Sequence, residues 1–248
     1  MNAMAASFGV RQPLMDDALR GFCRSAKPWG FILFREACVS RAQVKRLCAD
    51  LREASGHDSV IHIDQEGGRV ARLKAPEWPQ WPPAAAYGAL YARDRQAGLE
   101  AAKLGYRLIA NELRGMGVDA DYAPVLDLPA PGGDPIIGDR AFAADPAAVA
   151  ALGRAALEGL RAGGVLGCVK HMPGHGRADA DSHLRLPRVR TARAALAADF
   201  APFRALRDAE AAMTAHILYE ALDPERPATH SPIIIQEIIR GEIGFDGL

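Results

Sequence analysis

The sequence predicts an α/β fold, a (β/α)8 barrel of the TIM type left incomplete, with about six of the eight strand units present. Three observations predict it. Short apolar runs rich in β-branched residues alternate with stretches whose apolar side chains recur every three or four positions. This alternation repeats along the whole chain, which implies a parallel sheet covered by helices. Several of the runs also end on titratable residues, Asp64, Asp127, Lys170-His171 and His216, as expected where strand ends converge on a site at the C-terminal edge of a barrel. No Ser/Gly-rich spacer or charge block interrupts the 248 residues, so residues 1–248 are expected to be a single barrel domain that lacks the C-terminal strand units.

In chain order, a weak strand signal at Ser7–Val10 precedes a helical stretch from Asp16 to Ser25. Gly30–Phe34 is a buried strand. Ser40 then caps a helix that places Val44, Leu47 and Leu51 on one face. Val60–Asp64 repeats the strand pattern and ends on a carboxylate, with Gln65-Glu66-Gly67-Gly68-Arg69 turning outward behind it. Trp78 and Trp81 could stack on the ring of a ligand, but between prolines they read first as packing residues. One long helix is expected from Ala92 to Met116, then a strand over Asp119–Leu128 and a Gly/Pro-rich loop, Pro129–Asp139, leading to Arg140. Asp145-Pro146 opens a helix through Arg161, and Val165–Val169 is the next strand. A helix from Ala192 to Asp208, a strand from Ala211 to His216 and an isoleucine-rich helix from Ser231-Pro232 complete the pattern; Gly244–Leu248 leads towards another strand.

Chemistry concentrates in VLGCVKHMPGHGRADADSH, Val165–His183. Lys170 and His171 are costly to desolvate, so they are expected to emerge at the exposed end of their strand. Pro173, Gly174 and Gly176 forbid a regular helix beyond them. His171, His175, His183 and Asp181 could be read as a zinc set, but a His-x3-His pair needs a helix to bring both rings to one face, and no metal is expected. In Asp181-x-His183, by contrast, a carboxylate lies two residues from an imidazole, close enough in a turn to hold one ring nitrogen and make the other more basic.

Composition narrows the partners. Thirty basic and thirty acidic residues balance, which argues against nucleic acid or an anionic membrane recognised by bulk charge. No run approaches the ~20 apolar residues of a membrane span, and the N-terminus lacks the basic-then-apolar pattern of a leader. Cys23, Cys38, Cys48 and Cys168 are scattered without a CxxC pair and read as reduced packing residues, in keeping with a cytoplasmic protein.

The motif KHMPGHG…DSH resembles the signature of the family 3 glycoside hydrolases, in the bacterial β-N-acetylglucosaminidase branch that recycles cell-wall fragments. The resemblance extends over IDQEGGRVARL (Ile63–Leu73), APVLDL (Ala123–Leu128), GDRAF (Gly138–Phe142), MTAHILYEALD (Met213–Asp223) and GEIGFDGL (Gly241–Leu248), from about Gly30 onward. Several motifs in family order are far less expected by chance than one short pattern. The resemblance implies that Asp64, assisted by Arg72, holds hydroxyls at the far end of a bound sugar, and that Arg140, Lys170 and His171 grip the rest. His183, oriented by Asp181, is implied as the proton shuttle of a retaining hydrolysis. The nucleophilic aspartate of the family lies at the end of the strand after FDGL, so this chain is expected to hold no nucleophile and to be a truncated form. Met172 stands where the family often has Phe.

Without the resemblance, some residues keep two readings. Asp64 is a loop-bracing carboxylate or a ligand contact, Arg140 braces Asp127 or Asp134 or contacts substrate, and His216 is a pocket-wall residue or a substrate contact. The resemblance implies a small carbohydrate substrate, an N-acetylglucosamine-containing muropeptide or glycoside, cleaved without a cofactor. A phosphorylase of the same glycosides and a non-catalytic sugar-binding protein are the alternatives.

Overall fold

The computed structural model describes residues 3–181 and 184–247. Its frame is a six-stranded sheet of β1 (Met4–Val10), β2 (Pro28–Leu33), β3 (Val60–Ile63), β4 (Ala120–Asp121), β5 (Leu166–Met172) and β6 (Ala211–Thr214). Neighbours in space are neighbours in sequence, and every pair is parallel. Helices α1 (Asp17–Ala26), α2 (Arg41–Ser55), α3 (Ala84–Arg93), α4 (Arg95–Gly115), α5 (Pro146–Ala162) and α6 (Ala197–Ala205) fill the connections. This is an incomplete β/α barrel, with β1 and β6 at the two ends of the strand order.

Local chemistry accounts for the helix ends. Ser40 and Gln43 form a capping box at the start of α2, and Gly56 closes it in the left-handed conformation. Asp145 accepts from the Ala148 amide ahead of α5, with Pro146 in the first turn. The expected helix from Ala92 to Met116 is α4, which starts only at Arg95; a separate helix that the sequence reading did not anticipate, α3, precedes it and ends at Arg93. The chain breaks at Asp94, whose carboxylate caps α4 by accepting from Ala97 N at 3.0 Å, a role for which Asp suits better than a place inside a helix. The expected strand over 119–128 is likewise shorter. Pro124 has no amide to donate, and beyond Asp121 the pairing with β5 is reduced to an isolated bridge between Val125 and Lys170. The expected helix over 192–208 begins as a tight turn, Arg193–Leu196, and runs as α6 only to Ala205. The isoleucine-rich helix, Ile234–Ile243, has π-type hydrogen bonding.

Helices and sheet enclose one continuous core from Val10 to Phe245. Trp78 lies in it and Trp81 packs half-buried against it, the packing role expected. The four cysteines are unpaired, three of them buried.

Candidate active site

The charged residues gather where β3, β4 and β5 end. After Ile63 the chain passes through Asp64 into a small antiparallel hairpin, Gln65–Gly67 with Val70–Ala71. Successive residues in extended chain face opposite ways, so Asp64 and Glu66 share a side. The Gln65 side chain shapes the return: its Oε1 accepts from the amides of Arg72 and Leu73, both at 3.0 Å, and its Nε2 donates to the Leu73 carbonyl. Gly67 and Gly68 take positive φ in the turn, which only glycine adopts at little cost.

Lys170 on β5 is the centre of the cluster. Its Nζ lies 2.9 Å from Asp64 Oδ1 and 2.6 Å from Glu66 Oε1. Arg72 donates to the other oxygen of Asp64 at 2.8 Å. Arg140, in a short helical turn at the end of the Gly/Pro-rich loop, holds both oxygens of Glu66, each at 2.8 Å, the bidentate geometry that suits guanidinium to carboxylate. On the other side, Asp127 accepts from the backbone amides of His171 (3.2 Å) and His175 (2.7 Å), and its Oδ2 sits 2.6 Å from His171 Nδ1. His171 Nε2 faces Arg140 at 3.5 Å, which joins the two halves.

Lys170 is 2% exposed, which corrects the expectation that it emerges into solvent. Desolvation pulls the ammonium pKa down, but Glu66 and Asp64 outweigh it and the net shift is up. Burial likewise raises the Asp64 and Glu66 carboxyls, yet Lys170, then Arg72 and Arg140, hold both below the usual range. Asp127 is fully buried, which raises its carboxyl, but His171 and His175 together outweigh that desolvation and hold it low. Burial lowers His175, whose Nδ1 has no partner among the described residues. The result is a nearly charge-compensated patch of fixed donors and acceptors, suited to hydrogen-bond a polyhydroxylated ligand.

Five of the sequence-derived site residues, Asp64, Arg72, Arg140, Lys170 and His171, are therefore in one network. Arg140 braces neither Asp127 nor Asp134: Glu66, 74 residues away, takes its guanidinium. His216 stands apart, exposed, its ring 5.9 Å from that of His230. Asp181 follows the network on the loop after β5, and its carbonyl accepts from Leu184 and Arg185 amides at 3.0 and 3.2 Å. His183 lies outside the described residues. Glu66 is an organising carboxylate that sequence reading did not single out, and Asp127 is one that it marked only by position, with no role assigned. For Glu66 a signal existed, its i, i+2 spacing from Asp64 on extended chain; Asp127 carried only its place at a strand end.

The glycosyl hydrolase family 3 N-terminal domain model matches residues 27–248. A β-hexosaminidase of Xylella fastidiosa is 42% identical over 238 residues, covering 95% of this chain and 67% of its own length. Among solved structures, NagZ from Neisseria gonorrhoeae in complex with N-trifluoroacetyl-D-glucosamine superposes with a TM-score of 0.92 at 34% identity, over 99% of this chain and 73% of that one. A family 3 β-N-acetylglucosaminidase from Paenibacillus gives 0.88 at 37% identity, over 98% of this chain and 46% of that one. The chain thus spans about two thirds of the Xylella relative.

Proposed function

The chain belongs to glycosyl hydrolase family 3, and from that membership we propose that it forms the sugar-binding and proton-transfer face of a retaining β-N-acetylhexosaminidase acting on terminal, non-reducing N-acetylglucosamine. The observation that carries this reading is the buried ammonium of Lys170 bridging Asp64 and Glu66. Such a bridge keeps both carboxylates ionised and fixes them, with the Arg72 and Arg140 guanidiniums they hold, as a rigid polar surface for hydroxyl groups. Asp64, Arg72, Arg140, Lys170 and His171 hold the ring hydroxyls and fix the anomeric carbon for attack. Glu66 and Asp127 serve as the frame: one holds Arg140, the other sets the tautomer of His171.

Cleavage proceeds in two displacements. In the first, a carboxylate oxygen bonds to the anomeric carbon as its bond to the leaving oxygen breaks, and His183, oriented by Asp181, gives that oxygen its proton. In the second, His183 takes a proton from water, the water oxygen bonds to the anomeric carbon, and the carboxylate departs. Asp64, Glu66 and Asp127 are each engaged by a cation or an imidazole, so none is assigned the attack. The nucleophile is assigned to the segment that follows GFDGL in the family. We place the substrates among cell-wall fragments in the cytoplasm, in keeping with four free cysteines; no helix among the described residues is long and apolar enough to cross a membrane.

Turnover of a chromogenic N-acetyl-β-glucosaminide, with water or phosphate as acceptor, tests the proposal on this chain and on a form extended past Leu248. The extended form is expected to hydrolyse it, and His183→Ala to lower kcat by roughly 10²–10⁴ while N-acetylglucosamine still binds. Undiminished turnover in that variant overturns the proton-shuttle role, and phosphate-dependent release of a sugar 1-phosphate overturns hydrolysis.

A further inference from the structure

Arg69 touches none of the sugar-gripping side chains, yet it holds the segment that delivers one of them. Its Nε donates to Asp139 Oδ1 at 3.0 Å. Its Nη2 faces three successive carbonyls, Pro135 at 3.4 Å, Ile136, and Ile137 at 3.3 Å. Converging carbonyl oxygens repel one another unless a cation sits among them. Two of the three are shared with Arg140: its amide donates to the Ile137 carbonyl at 2.8 Å, and its Nη1 reaches the Ile136 carbonyl at 3.4 Å. The Gly/Pro-rich loop has little regular structure of its own, its few other ties including Asp134 Oδ1 on the Ile136 amide and Asp134 N on the Ala178 carbonyl, both at 2.8 Å. The hairpin after β3 therefore grips this loop twice, with Arg69 on its carbonyls and Glu66 on the Arg140 guanidinium.

We propose that Arg69 is a positioning residue for the sugar site, clamping the Pro135–Asp139 carbonyls and carboxylate so that Arg140 is presented to Glu66 and to ligand. The proposal rests on the sugar-binding role of Arg140 argued above. An isolated, half-exposed ion pair adds little to global stability; the effect of Arg69 is therefore local. Its planar fork addresses Asp139 with one nitrogen and the carbonyls with another, which a lysine ammonium does only in part.

The test is made on the purified chain with Arg69→Met, Arg69→Lys and Arg140→Met. Hydrogen exchange is followed over residues 129–141, and titration of N-acetylglucosamine by NMR. Arg69→Met is expected to speed exchange in that segment and weaken the sugar roughly tenfold, about 1.4 kcal/mol. The thermal midpoint should stay nearly unchanged, and Arg69→Lys should recover part of the binding. Unchanged exchange in Arg69→Met overturns the clamp. Faster exchange with wild-type sugar binding, while Arg140→Met loses the sugar, overturns the link from clamp to site. If Arg140→Met binds the sugar as the wild type does, the sugar reading itself has failed, and the exchange result alone then decides the clamp.

Discussion

Lys170 and Asp121 lie in the same buried patch, and their surroundings settle their charges differently. Lys170 has two carboxylates within 3 Å and stays an ammonium ion. Asp121 accepts from the Gln65 amide at 2.9 Å through one oxygen, and the other has no partner among the described residues. Burial pushes its carboxyl up to about 7, with Asp64 and Glu66 adding to the shift and the Gln65 amide and Lys170 opposing it. Between the ordinary carboxylate range and pH 7 the folded protein thus binds more protons at this site than the unfolded chain. Its contribution to stability is fully present at the acid end and is lost as pH rises towards 7. Asp121→Asn keeps an acceptor for Gln65 and removes the titration. The stability of the wild type relative to this variant should fall with pH from about 4 to 7, at most by about 1.4 kcal/mol per unit. Denaturant unfolding across that range measures it, and a difference independent of pH would show that Asp121 is ionised throughout.

Helices α4 and α5 show where packing overrules propensity. A Cβ at Gly159 would stand 2.3 Å from the Lys103 carbonyl oxygen and 3.0 Å from the Arg107 amide, so the two backbones meet over a residue without a side chain. An alanine there gains about 1 kcal/mol in helix propensity. Separating the helices costs more, typically 1–3 kcal/mol for an overpacked core, and the clash involves backbone that cannot rotate away. Gly159→Ala is therefore expected to lower stability in urea despite being the better helix former. A gain would mean that the helices separate at little cost. At Asp94 the decision is local instead: its carboxylate caps α4 and separates that helix from α3.

Across the whole molecule, one core runs from Val10 near the start to Phe245 near the end, and the sheet pairs each strand with its successor in sequence. A unit without an internal seam should unfold as one. Far-ultraviolet and near-ultraviolet circular dichroism are expected to report the same midpoint in denaturant, and two separated transitions would divide the chain into independent parts. The shared core also explains the precision of the site. Its groups come from the ends of β3 and β5 and from the loop after β4, so the geometry of the sheet sets their separations.

Much was legible in the residues themselves. Alternating periodicities announced a parallel sheet, and titratable residues at run ends marked its functional edge, because strand and helix periods are local properties that survive in the order of amino acids. Asp64, Arg72, Arg140, Lys170 and His171 were marked from motifs; of the carboxylates that hold them, Glu66 was not marked and Asp127 was marked only by position. Nor did any local pattern say that Lys170 would be buried, since its partner Asp64 lies 106 residues away. Tertiary structure alone decided which carboxylate neutralises which cation, because Coulomb energy and desolvation depend on distance and burial in space, and both arise only when the sheet brings β3 and β5 to one edge.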